Sequence, residues 1–114
     1  MSERRYVNLG EIAGSATGRE GAVWTLEGSG DLNANLVRFE TGGGVGEHLN
    51  DEVDVVIVGI SGSGSVRVDG GEHPLSNGVM VFVPRGVRRY TRAVSDEFAY
   101  LSVHRRRGPL RIGG

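Results

Sequence analysis

The sequence predicts an all-β protein, a small antiparallel barrel or sandwich of about nine short strands. Short alternating or uniformly apolar runs recur at regular spacing between glycine turns, the pattern of a sandwich or barrel. No segment holds helical periodicity over the ~12 residues that a self-supporting helix needs. Glycine supplies 20 of the 114 residues, which suits the tight corners of a small barrel.

Residues 1–22 are punctuated by Gly10, Gly14, Gly18 and Gly21 and read as an N-terminal extended arm. Tyr6, Val7, Leu9 and Ile12 would form one short extended piece, docked on a partner subunit. Val23 to Leu26 reads as the first strand, closed by the turn Gly28-Ser29-Gly30-Asp31. Leu32 to Glu40 alternates and makes a longer strand. Thr41 to Gly44 turns the chain into Val45 to Asn50. Val53 to Ile60 is apolar on both faces, which predicts burial on both sides or a subunit interface. Ser65 to Val68 alternates, and Asp69-Gly70 is a hairpin turn into Glu72 to Leu75. Asn77-Gly78 is a second such turn, leading to Val79 to Val83, which Pro84-Arg85-Gly86 breaks. Arg88 to Val94 and Phe98 to Val103 complete the set. The barrel thus spans 23–104, and 105–114 is a basic tail.

The length suits one domain with one core. The net charge of −1 points to no polyanionic partner. All 13 basic residues are arginine, which favours planar recognition of carboxylate or phosphate wherever one faces inward. Arg105-Arg106-Arg107 lacks interleaved aromatics and reads as solvated surface, not a nucleic-acid contact. The absence of cysteine excludes disulfides, thiolate zinc sites and cysteine nucleophiles. No serine-hydrolase elbow, phosphate loop or dinucleotide fingerprint occurs. Met1 to Gly14 has no apolar core of signal-peptide length, and no run approaches the ~20 apolar residues of a membrane span. The expectation is a soluble cytoplasmic protein with no membrane contact.

Chemistry concentrates between Gly42 and Gly62. His48, Asn50, Glu52 and Asp54 stand at alternate positions, and residues two apart on a strand share a face. His48 and Asn50 would therefore point together, with Asp54 rejoining them across a bend. His48 and Glu52 are the candidates for acid–base catalysis. Asn50, Asp54, Arg89 and Thr91 are the candidates for ligand binding, with Tyr90 and Arg92 on the opposite phase. Arg89 is expected to pair with Glu52 or Asp54. Bland readings stand beside these: His48 as a hydrogen-bonded pocket histidine, Asn50 as a turn former, and Trp24 as core or pocket wall.

Two segments resemble the paired motifs of the cupin superfamily. In the first, G-x5-H-x-H-x3,4-E-x6-G, Gly42 and His48 match, Asn50 stands at the second histidine, Asp54 at the glutamate, and Gly62 falls one residue late. In the second, G-x5-P-x-G-x2-H-x3-N, Gly78, Pro84 and Gly86 match, with Arg89 at the histidine and Ala93 at the asparagine. The resemblance covers roughly residues 32–103. It implies a small conical barrel of jelly-roll type, usually a homodimer, in which three histidines and a glutamate hold one divalent metal. Only His48 of those ligands is intact here, so the reading is a barrel with a degenerate, metal-free pocket for a small polar or anionic molecule. As an enzyme it would be a proton-transfer isomerase, cyclase or lyase using His48. One alternative is a metal-dependent dioxygenase or isomerase holding manganese, iron, nickel or zinc through His48, Glu52 and Asp54. Another is a non-catalytic sensor or scaffold dimer. His73 and His104 are not favoured by register as further ligands.

Overall fold

A computed structural model describes residues 5–107. One short helix precedes nine strands: α1 Leu9–Ser15, β1 Gly21–Thr25, β2 Leu32–Phe39, β3 Gly44–Leu49, β4 Val55–Ser61, β5 Ser63–Val68, β6 Gly71–Ser76, β7 Met80–Val83, β8 Arg88–Ala93 and β9 Phe98–Arg105. The strands form two antiparallel sheets, ordered β1-β2-β9-β4-β7 and β3-β8-β5-β6. The nine expected strands are all present, each within about two residues of its expected bounds.

Alternation along each strand sends one set of side chains between the sheets. Phe39, Val55, Ile57, Val66, Leu75, Val81, Val83, Ala93, Phe98 and Tyr100 meet there in one core. The end of the sandwich nearest Phe98 is the closed one. A Cβ on Gly64 would overlap the Phe98 ring, so only glycine lets β5 approach it. Gly59 plays the same part where β4 passes the backbone of Ser76.

The N-terminal segment corrects the expectation of an extended arm. Leu9 and Ile12 lie in α1, which Asn8 caps by accepting a hydrogen bond from the Glu11 amide at 3.1 Å. Seven residues are too few to show a helical period, and tertiary packing supports the helix instead. Ala13, Leu9 and Ile12 pack with Val23, Trp24, Leu36, Ile60 and Ala99 on the outer face of the five-stranded sheet. Trp24 is therefore part of the helix-docking cluster and not of the pocket. Arg38, with no exposed surface, holds the helix to the sheet. Its Nε donates to the Ala13 carbonyl at 3.3 Å, its Nη1 donates to the Arg19 carbonyl at 3.1 Å, and it pairs with Glu40. A cation at the C-terminal end of a helix also meets the negative end of the backbone dipole.

The two faces of the stretch Val53–Ile60 differ in cover. Val53, Val55 and Ile57 are buried, but Val56, Val58 and Ile60 on the opposite face are only half covered. The start of the basic tail is tied to the body: β9 reaches Arg105, the Arg106 amide donates to the Asp31 carbonyl at 2.7 Å, and Arg106 Nη1 donates to the Ser29 carbonyl at 3.1 Å. The rest of the tail lies outside the described residues. Among the described residues no helix is long and apolar enough to cross a membrane.

Gly64→Ala is expected to cost about 1–3 kcal/mol in chemical denaturation, because the added methyl overpacks the Phe98 ring. Adding Phe98→Leu should recover part of that loss. Gly14→Ala, whose Cβ meets nothing within 4 Å, should instead gain up to about 1 kcal/mol through helix propensity.

Candidate functional site

A cavity of about 370 Å³ opens between the sheets at the end away from Phe98. The four-stranded sheet contributes Val45 and His48 from β3 and Arg89 and Thr91 from β8. The pairing of β3 with β8 sets His48 beside Arg89 and Val45 beside Thr91. The five-stranded sheet faces them with Asn35 and Val37 of β2, Val55 and Ile57 of β4, and Tyr100, Ser102 and His104 of β9. Asn50 and Arg107 complete the rim. The Thr91 hydroxyl and the Tyr100 phenol meet at 3.1 Å and join the two walls on the cavity floor.

The expected site residues divide. His48, Asn50, Arg89 and Thr91 come together at the cavity. Glu52 and Asp54 do not. Glu52 turns outward, where its carboxylate takes the Arg107 Nε at 3.3 Å. Asp54 accepts the Arg85 amide at 2.8 Å and caps the Pro84-Arg85-Gly86 turn. Asn50 explains both placements. Its Oδ1 accepts the Glu52 amide at 2.9 Å while its Nδ2 donates to the Val53 carbonyl at 3.0 Å. That local turn breaks the alternation on which convergence of the carboxylates depended. Glu52 thus reaches the site only through Arg107.

The expected pairing of Arg89 with an acid is not found either. Arg89 is 5% exposed, and among the described residues its guanidinium makes one hydrogen bond, from Nε to the Val87 carbonyl at 3.4 Å. The buried Nη2 has no partner there. Among the described residues no aspartate or glutamate lines the cavity. Burial first, and the Arg107 charge second, push the Arg89 guanidinium below its ordinary value. An arginine remains charged even so.

Sequence reasoning missed Asn35, Tyr100, Ser102, His104 and Arg107. The signal for three of them was present: Phe98, Tyr100, Ser102 and His104 alternate along β9 and share the inner face. His104, disfavoured at first, lines the cavity from the wall opposite His48. The two histidines are held alike. His48 Nδ1 lies 2.8 Å from the Gly46 carbonyl, and His104 Nδ1 lies 2.7 Å from the Arg105 carbonyl. A carbonyl only accepts, so Nδ1 carries the proton, and each neutral ring keeps an unprotonated Nε2.

This donor set does not fit a divalent ion. Among the described residues no three His, Cys, Asp or Glu side chains cluster as ligands, and Glu52 and Asp54 are engaged by Arg107 and the Arg85 amide. Asn50 is a weak neutral donor already used in its turn, and the fixed cation of Arg89 stands beside His48 on the paired strand.

Burial raises the Tyr100 phenol above its ordinary 10.0, with the Thr91 hydrogen bond opposing it weakly. The folded protein then holds this proton more tightly than the unfolded chain. The associated stability is present below about pH 10 and is lost as pH rises through the native value. Ultraviolet absorbance titration of wild type against Tyr100→Phe should assign a late-titrating phenol to this residue, and the variant should lose less stability at alkaline pH.

The comparisons with known proteins agree with this architecture. Residues 35–104 match the profile of the cupin domain. No curated protein matches the chain. A cupin-2 domain containing protein from Shewanella frigidimarina superposes with a TM-score of 0.75 at 17% identity, over 93% of this chain and 100% of that one. TT1209 from Thermus thermophilus gives 0.74 at 23% identity, over 91% and 98%. KdgF from Halomonas sp. gives 0.69 at 20% identity, over 75% and 77%. Such identities speak for the fold alone. With the profile covering the inner strands from Asn35 to His104 and two stacked antiparallel sheets around one cavity, the chain belongs to the cupin family.

Proposed function

We infer that the cavity binds a small anionic molecule and that His48 moves a proton on it. The observation that carries this reading is Arg89: a buried cation with an unpartnered nitrogen, in a cavity that, among the described residues, has no carboxylate on its walls. A buried charge without a counter-charge costs several kcal/mol, and an anion entering the cavity would offset that cost. A folded chain keeps such a cost where it serves binding. The two arginines play opposite parts. Arg38 also has an unpartnered Nη2, but it meets two carbonyls and Glu40 within the chain and serves stability, whereas Arg89 has no acid partner among the described residues and its counter-charge would arrive with the ligand.

His48 suits proton transfer because its Nδ1 is anchored on the Gly46 carbonyl and its Nε2 is left free to take a proton. Exposure at the cavity rim lets a ligand reach it. The reaction class consistent with these groups is isomerisation, cyclisation or elimination without a redox step. Arg89 would hold the anion while His48 takes or returns the proton.

The partner would be a second copy of the chain. On the outer face of the five-stranded sheet, Phe82 lies beside Val56 and Val56 beside Val103, and Met80 lies beside Val58 and Val58 beside Leu101. These two rows carry no charge, and Met80 and Phe82 are 57% and 51% exposed. A flat apolar patch of this kind is self-complementary about a two-fold axis.

Two experiments test the reading. In anion-free buffer Arg89→Met should melt at or above the wild-type temperature, with a gain of about 0.5–2 kcal/mol from removing an unpaired buried charge. Arg38→Met should lose about 1–3 kcal/mol by orphaning its carbonyl partners. Formate, acetate, sulfate or phosphate should raise the wild-type melting temperature and leave Arg89→Met unmoved. A destabilised Arg89→Met with an unchanged anion response would refute the reading. For the dimer, sedimentation of Phe82→Glu should give a monomer where wild type gives a dimer. A monomeric wild type removes that part.

A further inference from the structure

We propose that the anion is a monocarboxylate carrying a compact apolar body, seated with its carboxylate on Arg89 and its body against Val37, Val55, Ile57 and the Tyr100 ring. This rests on the reading of the cavity as an anion site and narrows its ligand.

The number of donors selects the headgroup. Apart from Arg89, the cations and bases at the cavity are Arg107, His48 and His104. Arg107 already pairs with Glu52 at 3.3 Å. Each histidine spends Nδ1 on a backbone carbonyl and, when neutral, offers a bare Nε2, which accepts a proton and donates none. At depth this leaves the Arg89 guanidinium, with Nε engaged and Nη2 unpartnered, as the one charged donor among the described residues. A planar guanidinium edge matches the two oxygens of a carboxylate. A phosphate brings a further acceptor oxygen and up to a second charge. Those oxygens would find no second cation at depth among the described residues, only the neutral Asn35 and Ser102 and apolar walls, so the added charge would be poorly compensated.

The walls select the body. Val55 and Ile57 are buried and face inward from alternate positions of β4, and Val37 stands beside Tyr100 on the paired strands β2 and β9. Burial keeps the Tyr100 phenol neutral and its hydroxyl is taken up with Thr91, so this side presents an apolar ring. The cavity is at the small end of the range for ligand sites, which suits a single ring or a short branched chain. The remaining polar groups, Asn35 and Ser102, lie side by side on β2 and β9 and could read one further polar substituent on the body.

The experiment is calorimetric and nuclear magnetic resonance titration with benzoate, cyclohexanecarboxylate and hexanoate. Cyclohexylmethanol serves as the neutral counterpart, acetate as the headgroup without a body, and inorganic phosphate as the competing anion. Wild type should bind at least one of the three body-bearing acids ten-fold or more tightly than acetate, the alcohol or phosphate. Arg89→Met should lose ten-fold or more of that affinity, and Arg89→Lys, which keeps the charge but not the fork, should lose an intermediate amount. Ile57→Asn should weaken the acids and leave acetate unchanged. Thermal melts establish that each variant is folded. Phosphate or acetate binding as tightly as the acids, with dependence on Arg89, overturns this inference and leaves the anion site standing. Binding of the alcohol that equals the acids and survives Arg89→Met overturns both. If none of the three acids binds at millimolar concentration, the inference falls, and the Arg89-dependent response to acetate and phosphate decides the anion site.

Discussion

Two facing sheets can share a dry core only where their inner side chains interlock, and in this chain that happens at one end. The Phe98 ring lies in the space left by the missing side chain of Gly64, with Leu75, Val66 and Ala93 closing around it. Everything else follows from that plug. It holds the sheets together at one end, the Thr91–Tyr100 contact holds them at mid-depth, and the other end is left open as a cavity. A close-packed interior leaves few voids of this size by accident, and this one is walled by polar and apolar groups together.

The electrostatics divide along the same lines. The four-stranded sheet brings a guanidinium inward beside an imidazole, and among the described residues nothing on the opposite wall answers it with negative charge. The acids that might have done so are spent elsewhere, Glu52 on Arg107 at the rim and Asp54 on a turn amide. The fold thus keeps a buried cation with no acid beside it among the described residues, the costly arrangement on which the anion-site proposal rests. Helix α1 and Arg38 do comparable electrostatic work on the outer face, but there every donor that matters finds an acceptor within the chain except one guanidinium nitrogen.

Much of the fold was legible in the sequence. The nine strands could be read because glycine turns and hairpin dipeptides are local, and local chemistry acts whatever the rest of the chain does. Arg89 and Thr91 could be placed inward by alternation along a single strand, and His48 with Asn50 likewise. The carboxylates could not. Their expected convergence assumed a period of two through residues 50–54, and the side chain of Asn50 folds that stretch into a turn. The helix was missed for a related reason: at seven residues it has too little periodicity of its own and exists because Leu36, Ala99 and Trp24 give it a surface.

By itself the sequence determined the all-β class, the number of strands, the glycine and proline framework shared with cupins, and the loss of all but one of the family's metal ligands. These are properties of residue identity and of spacing along one strand or one turn. The tertiary structure alone decided which walls face each other. Only the pairing of β9 with β2 and β4 brings Tyr100, Ser102 and His104 opposite His48 and Arg89, across a gap that no local pattern encodes. Whether a buried charge finds a partner depends on distances between residues far apart in the chain, and those are set by how the sheets stack.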